Sequence, residues 1–241
     1  MRGTLTTKVV CIVTICLLAA TSADSQCLRK GWKPLLPGRV LILRPRVKIR
    51  VFKSFLKTND SEGTADVVGS ELLGTVAQAF ENRKYTLVVE PPLIDDWEKD
   101  PSSSRAISAL DDQYDQQMFS NASPSDAPLA CEDELKLTFD QYVKAMPNHE
   151  ETQILVVIRG MGDVLTKGGA ATSALGLGYG PSDYLSFSLG IIDGSTGHLV
   201  YSCVGRLEGS GFINKPSKLS HSVDACLQVF FVDQPKHSWI Q

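Results

Sequence analysis

The chain of 241 residues has only four histidines and lacks the short motifs by which catalytic and metal sites are usually detected. It contains no Gly-x-Ser-x-Gly elbow, no Cys-x-x-Cys pair and no Gly-x4-Gly-Lys-Ser/Thr loop. None of the histidines has a partner at a spacing typical of metal ligands. We therefore expect no cofactor and no metal site, and the sequence names no catalytic residue.

Long apolar runs are also scarce, and the one near the start is short. Residues 9–20 are uncharged, they follow Arg2 and Lys8, and small residues occupy positions 21–23. This arrangement is typical of a secretory signal peptide. About twelve residues are too few to cross a bilayer, which takes roughly twenty. We expect residues 1–23 to be the signal peptide of a soluble exported protein, located in the periplasm, at the cell envelope or outside the cell.

Cysteine is infrequent, and two of the six cysteines lie in the expected signal peptide. The other four are Cys27, Cys131, Cys203 and Cys226. In an oxidising compartment four cysteines permit two disulfides in three possible pairings, and their spacing does not choose among these. Acylation of Cys27 as the first residue of a lipoprotein is an alternative. Residues 24–26 lack the small, apolar pattern that lipoprotein processing reads.

Acidic residues are absent from residues 28–57, a segment with ten Lys and Arg. Within it Arg44, Arg46, Lys48 and Arg50 alternate with apolar residues, so an extended strand places all four side chains on one face. We call these four residues the cationic face. The segment from residue 58 onward has 26 Asp and Glu against twelve Lys and Arg.

This charge asymmetry has two interpretations. The cationic face either forms ion pairs within the molecule, with the acidic residues between 95 and 115 as candidate partners, or it binds an anionic partner such as lipid head groups or polysaccharide. Export and the acidity of the whole chain argue against nucleic acid.

Hydrophobic periodicity predicts an α/β fold. The predicted strands are 40–52 with a bend at Pro45, 85–89, 154–158, and a hairpin of 184–193 with 198–206; the predicted helices are 65–82, 132–146 and 217–231. Strands interleaved with helices imply a mixed β-sheet covered by helices, with a C-terminal β-hairpin followed by a helix.

We expect a single domain over residues 40–233, preceded by a basic N-terminal arm at 24–39 and followed by a tail at 234–241. An acidic surface excursion at 95–128 interrupts it, although apolar residues around 104–118 could form a helix. Residues 160–181 are predicted to be a glycine-rich loop. Because residues 168–182 carry no charge, this loop is a second candidate contact surface.

The elements from 154 to 201 resemble a pattern found in exported bacterial envelope proteins and lipoproteins. An apolar strand and a glycine-rich loop precede a strand, turn and strand that read Ile-Ile-Asp-Gly-Ser-Thr-Gly-His-Leu-Val-Tyr. The opening strand and first helix also resemble this group, which is similar in fold to the curli-secretion lipoprotein and to the N-terminal domain of the Tol-system propeller protein. The resemblance implies a non-enzymatic assembly or secretion accessory, and it carries over no functional residue.

We therefore expect an exported, non-catalytic, envelope-associated protein that contacts a protein or an anionic envelope component. Its contact surfaces would be the cationic face and the glycine-rich loop, and peripheral membrane contact and homo-oligomerisation are open alternatives. The competing function is an exported hydrolase with an unrecognised active site. A concave pocket with at least two converging titratable groups would favour the hydrolase.

Overall fold

The computed structural model describes residues 23–33, 38–54, 57–119, 136–165, 183–209 and 216–232. The strands are β1 (Ala23–Leu28), β2 (Arg39–Ile42), β3 (Arg46–Ser54), β4 (Lys57–Asp60), β5 (Thr86–Leu87), β6 (Ile154–Leu165), β7 (Tyr184–Asp193) and β8 (Leu199–Glu208). The helices are α1 (Glu62–Glu81), α2 (Ile94–Lys99), α3 (Pro101–Phe119), α4 (Asp140–Lys144) and α5 (Pro216–Val232). The predicted α/β fold is confirmed, including the hairpin of β7 and β8 and the helix that follows it.

The eight strands form one mixed sheet in which β6 is central. The order is β1-β8-β7-β6-β2-β5, and β3 also pairs with β6 while β4 pairs with β3. Strand β6 is parallel to β2 at one end and to β3 at the other. Pro45, which has no N–H to donate, lies between β2 and β3, where the chain is not in a strand. The predicted bend at Pro45 is therefore a break between two strands that lie along the same side of β6.

Each face of the sheet carries its own apolar core, and the alternation along β6 separates them. Ile154, Val156 and Ile158 pack in the core under α1 and α5, whereas Leu155 and Val157 pack in the core under α3 and α4. We call these the first core and the second core. No helix in the described part of the chain is long and apolar enough to cross a membrane.

Helix α3 packs close to the sheet because β7 has a glycine, Gly190, at the point of contact. The Tyr114 side chain of α3 is fully buried. A Cβ atom on Gly190 would lie 2.8 Å from Cε2 of Tyr114, which is closer than real Cβ contacts come. Ile107 and Leu110 of the same helix are also buried. The part of the expected acidic excursion that the structure describes is therefore a packed helical layer, because its apolar residues recur at helical spacing.

Three other segments differ from the expectations. The start of the expected basic arm forms β1, which pairs with β8 and buries Cys27. Strand β6 continues to Leu165 through the start of the expected glycine-rich loop, because it pairs there with both β3 and β7. The described part of the expected helix at 132–146 is helical only in α4, since residues 136–139 precede it without helical structure.

A disulfide joins Cys203 in β8 to Cys226 in α5, with Cα atoms 5.7 Å apart. Cys27 is also disulfide-bonded and is 3% exposed, so its sulfur is not available for an acyl group. Cys131, the charge-free residues 168–182, the tail at 234–241 and all but the last residue of the expected signal peptide lie outside the described residues.

Candidate functional site

Three rows of side chains cross β3, β6, β7 and β8 on the face that carries the second core. In register, the first row is Arg46, Arg159, Ser188 and Val204; the second is Lys48, Met161, Ser186 and Arg206; the third is Arg50, Asp163, Tyr184 and Glu208. Ion pairs from α3 reach the first row, whereas Met161 at the centre of the second row is 52% exposed. We call the second and third rows the open face.

The first row places two arginines side by side, which would repel without counter-charges. Asp111 of α3 resolves this, since its carboxylate oxygens lie 2.6 Å from Nη2 of Arg159 and 2.8 Å from Nε of Arg46. Asp115, one turn further along α3, accepts from Nε of Arg159 at 2.5 Å. We call these four residues the Arg–Asp cluster. The Arg159 and Asp111 side chains are only 10% and 5% exposed, so the cluster holds buried charges that balance each other.

The structure gives carboxylate partners to three of the four residues of the cationic face. Arg46 belongs to the Arg–Asp cluster, and Arg50 forms a bidentate pair with Asp163 at 2.8 and 3.0 Å. Nη1 of Arg44 lies 3.1 Å from Oδ1 of Asp95. Lys48 is exposed, and no carboxylate of the described residues pairs with it. The three arginines of the cationic face therefore form ion pairs within the molecule, as the first interpretation expects. Lys48 forms no such pair with the described residues.

A cleft of about 800 Å³ opens beside the Arg–Asp cluster. Its charged lining residues are Arg44, Arg46, Lys48, Arg159, Asp66, Glu98, Asp111 and Asp115; its serines are Ser104, Ser108, Ser186 and Ser188. Met161, Val204 and Ile107 are among its apolar lining residues. Guanidinium groups donate hydrogen bonds, carboxylates accept them and hydroxyls do both, so the cleft offers closely interleaved donors and acceptors.

Glu98 of α2 is a partly buried carboxyl group of this cleft that lies outside the Arg–Asp cluster. Its Oε1 accepts a hydrogen bond of 2.9 Å from the backbone N–H of Arg44, at the break between β2 and β3. Burial raises the pKa of the Glu98 carboxyl above its ordinary value, and the Arg44 N–H only partly offsets this.

Replacing Glu98 by Gln should therefore stabilise the protein at pH 7. A carboxyl whose pKa is raised by folding favours the native state when protonated, so its ionised form reduces stability above the native-state pKa. That reduction disappears as the pH falls below the ordinary value of 4.5. Urea unfolding at pH 7 and at about pH 4 should show a gain for Glu98→Gln only at the higher pH. A gain of equal size at both values would contradict this account.

The cleft meets the geometric condition set for an enzyme, because several titratable groups converge in it. The carboxylates of its cluster, however, face arginine, and none of the residues that line it is a histidine or a cysteine. No serine of the described lining is hydrogen-bonded to a carboxylate, so the described residues do not show a hydroxyl nucleophile paired with a general base. The lining does present groups that can recognise a ligand through hydrogen bonds and charge.

The sequence pattern predicted the cationic and the apolar side of the strand that is β3. It did not single out Arg159, which is central to the Arg–Asp cluster. This residue lies directly after the apolar run of β6, and an arginine on the covered face of a central strand requires a counter-charge. That requirement was the signal available in the sequence. The acidic residues of α3 were recognised as candidate partners, whereas their role in holding Arg159 depends on the tertiary fold.

No protein-family model matches the chain. No curated protein matches it either. Among solved structures, it is similar to a PelC dodecamer from Paraburkholderia phytofirmans, with 13% identity, a TM-score of 0.36 and coverage of 85% of this chain and 95% of that one. Lipoprotein GNA1162 from Neisseria meningitidis gives 12% identity, a TM-score of 0.38 and coverage of 81% and 98%. Protein XCC0632 from Xanthomonas campestris gives 10% identity, a TM-score of 0.32 and coverage of 84% of each chain.

These likenesses are too remote to show a family or to assign a role to any residue of this chain. The expected similarity to the Tol-system domain has no support among them.

Proposed function

We propose that this chain is an exported, non-catalytic protein of the cell envelope that binds its partner on the open face and in the adjoining cleft. The observation that carries the proposal is the exposure of Met161 at the centre of the sheet. Central strands usually bury large apolar side chains under helices, yet here the described helices stop at the first row and leave Met161 52% exposed. Lys48 lies beside it in register, also exposed.

The Arg–Asp cluster and the open face together favour binding over catalysis. In the Arg–Asp cluster both carboxylates are ion-paired with arginines and hold α3 against the sheet, which is a structural role. The open face then presents an apolar centre within a polar surround, which is a common organisation of interaction surfaces.

Met161→Glu should reduce retention of the exported protein in the envelope fraction of the expressing cells about tenfold, the size expected when a central contact is lost. Quantitative co-sedimentation measures this. The matched control is Val229→Glu, since Val229 is 40% exposed on α5, which covers the opposite face of the sheet. Equal retention of the two variants would contradict the proposal.

A hydrolase is the second candidate, and Glu98 is the observation that favours it. A carboxyl group with a pKa raised by burial in a cleft is suited to act as a general acid. Glu98→Gln separates the candidates: a hydrolase would lose turnover of its ester or glycoside substrate, whereas the binding protein would keep its envelope retention.

A further inference from the structure

We infer that the cleft binds a hydroxyl-rich, carboxylated saccharide chain, with one carboxylate of the chain placed at Nζ of Lys48. The inference rests on the proposed function, because it names the ligand class of the same cleft. Three observations carry it: the uncompensated charge of Lys48, the interleaved donors and acceptors beside it, and the carboxylates at the rim.

The charge of Lys48 is available to an anionic group from outside. On β3 this lysine lies between Arg46 and Arg50, whose guanidinium groups are both held by aspartates. The other members of the second row are Met161, Ser186 and Arg206, and none of them is an anion. No carboxylate of the described chain pairs with it, and it is exposed within the lining of an 800 Å³ cleft. A single anionic group is therefore the ligand feature that this position recognises.

The rest of the lining suits hydroxyl groups better than further anions. Arg46 and Asp115 are both partly exposed, with 44% and 40% of their side chains accessible, and they lie 3.8 Å apart. A sugar hydroxyl can accept from the guanidinium and donate to the carboxylate, whereas a sulfate or a phosphodiester can only accept and would be repelled by Asp115. Ser104, Ser108 and Ser186 extend the same dual capacity along the cleft.

The rim argues against an anionic lipid surface as the ligand. Asp66 and Asp112 flank Arg44 and Arg46 with side chains that are 68% and 80% exposed. A plane of anionic head groups would meet these exposed carboxylates as well as Lys48, so repulsion would oppose the attraction to the lysine. A narrow chain with spaced carboxylates can enter the cleft and place one carboxylate at Lys48.

The test is isothermal titration of the purified mature protein with an oligogalacturonate. The comparison ligand is the same oligomer with its carboxyl groups reduced to alcohols, and phosphatidylglycerol vesicles form a third arm. We expect the oligogalacturonate to bind about tenfold more tightly than the reduced oligomer, in keeping with one charge-assisted hydrogen bond. Lys48→Gln should remove that difference, because the oligogalacturonate would then bind no more tightly than the reduced oligomer. Lys48→Arg should preserve it, as should the control Lys30→Gln, which removes an exposed lysine elsewhere.

Four results would overturn the inference: no binding of the oligogalacturonate, equal binding of the two oligomers, an unchanged preference in Lys48→Gln, or binding to the vesicles alone. The proposed function would survive each of them if Met161→Glu still reduced envelope retention. Both would fail if envelope retention were also indifferent to Met161→Glu.

Discussion

Replacing Arg159 by Met is expected to lower the free energy of unfolding by about 3–5 kcal/mol, the range seen when one partner of a buried ion pair is removed. The Asp111 side chain is 5% exposed and lies 2.6 Å from the Arg159 guanidinium. Without Arg159, Asp111 keeps only the half-exposed Arg46, and Asp115 loses its shorter contact. Because α3 is held to the sheet through these contacts, its packing over the second core should also loosen. Urea unfolding, followed by circular dichroism, measures the change.

Two controls separate the buried charge from loss of an arginine in general. Lys144→Met removes an exposed i,i+4 pair with Asp140 and should cost less than about 0.5 kcal/mol. Asp111→Leu combined with Arg159→Met removes both buried charges and should recover much of the lost stability. The account would be wrong if the double variant were as unstable as Arg159→Met, or if Arg159→Met were no worse than Lys144→Met.

The fold was predictable from the sequence where periodicity is strong. Alternation along 184–193 and the Asp-Gly-Ser-Thr-Gly turn after it predicted the hairpin. Helical spacing predicted α1 and α5, because one face of each helix is buried in the first core. Strand β1 was not predictable in the same way. Its sequence, Ala-Asp-Ser-Gln-Cys-Leu, is mainly polar, and its place in the sheet comes from pairing with β8, far along the chain.

The site was predictable only in part, for the same reason. Alternation between 46 and 50 correctly placed Arg46, Lys48 and Arg50 on one side of β3, since that depends on neighbouring residues alone. Arg44 was expected in the same strand but lies before it, in the break at Pro45. The partners that decide what each cation does are distant in sequence: Asp163 is 113 residues from Arg50, and Asp111 is 48 residues from Arg159. No local pattern could show that the arginines are neutralised and that Lys48 is left over.

Breaking the Cys203–Cys226 disulfide is expected to cost about 3 kcal/mol, because the bond closes a loop between residues 23 apart in sequence and so restricts the unfolded chain. The bridge links α5 to β8 within the first core, where both cysteines are fully buried. Alanine is the suitable replacement, because it adds no buried hydroxyl that would need a hydrogen-bond partner. Urea unfolding of Cys203→Ala, Cys226→Ala and the double variant measures the cost.

The three variants should be strongly non-additive. Either single substitution already removes the cross-link, and the remaining free cysteine stays buried as a small apolar residue. The double variant should therefore be less stable than either single variant only by the packing of one further sulfur atom, far less than the sum of the two losses. Additive losses would mean that the cysteines stabilise the protein through their individual packing. Near-equal losses would show that the covalent tie between α5 and β8 is what stabilises the first core.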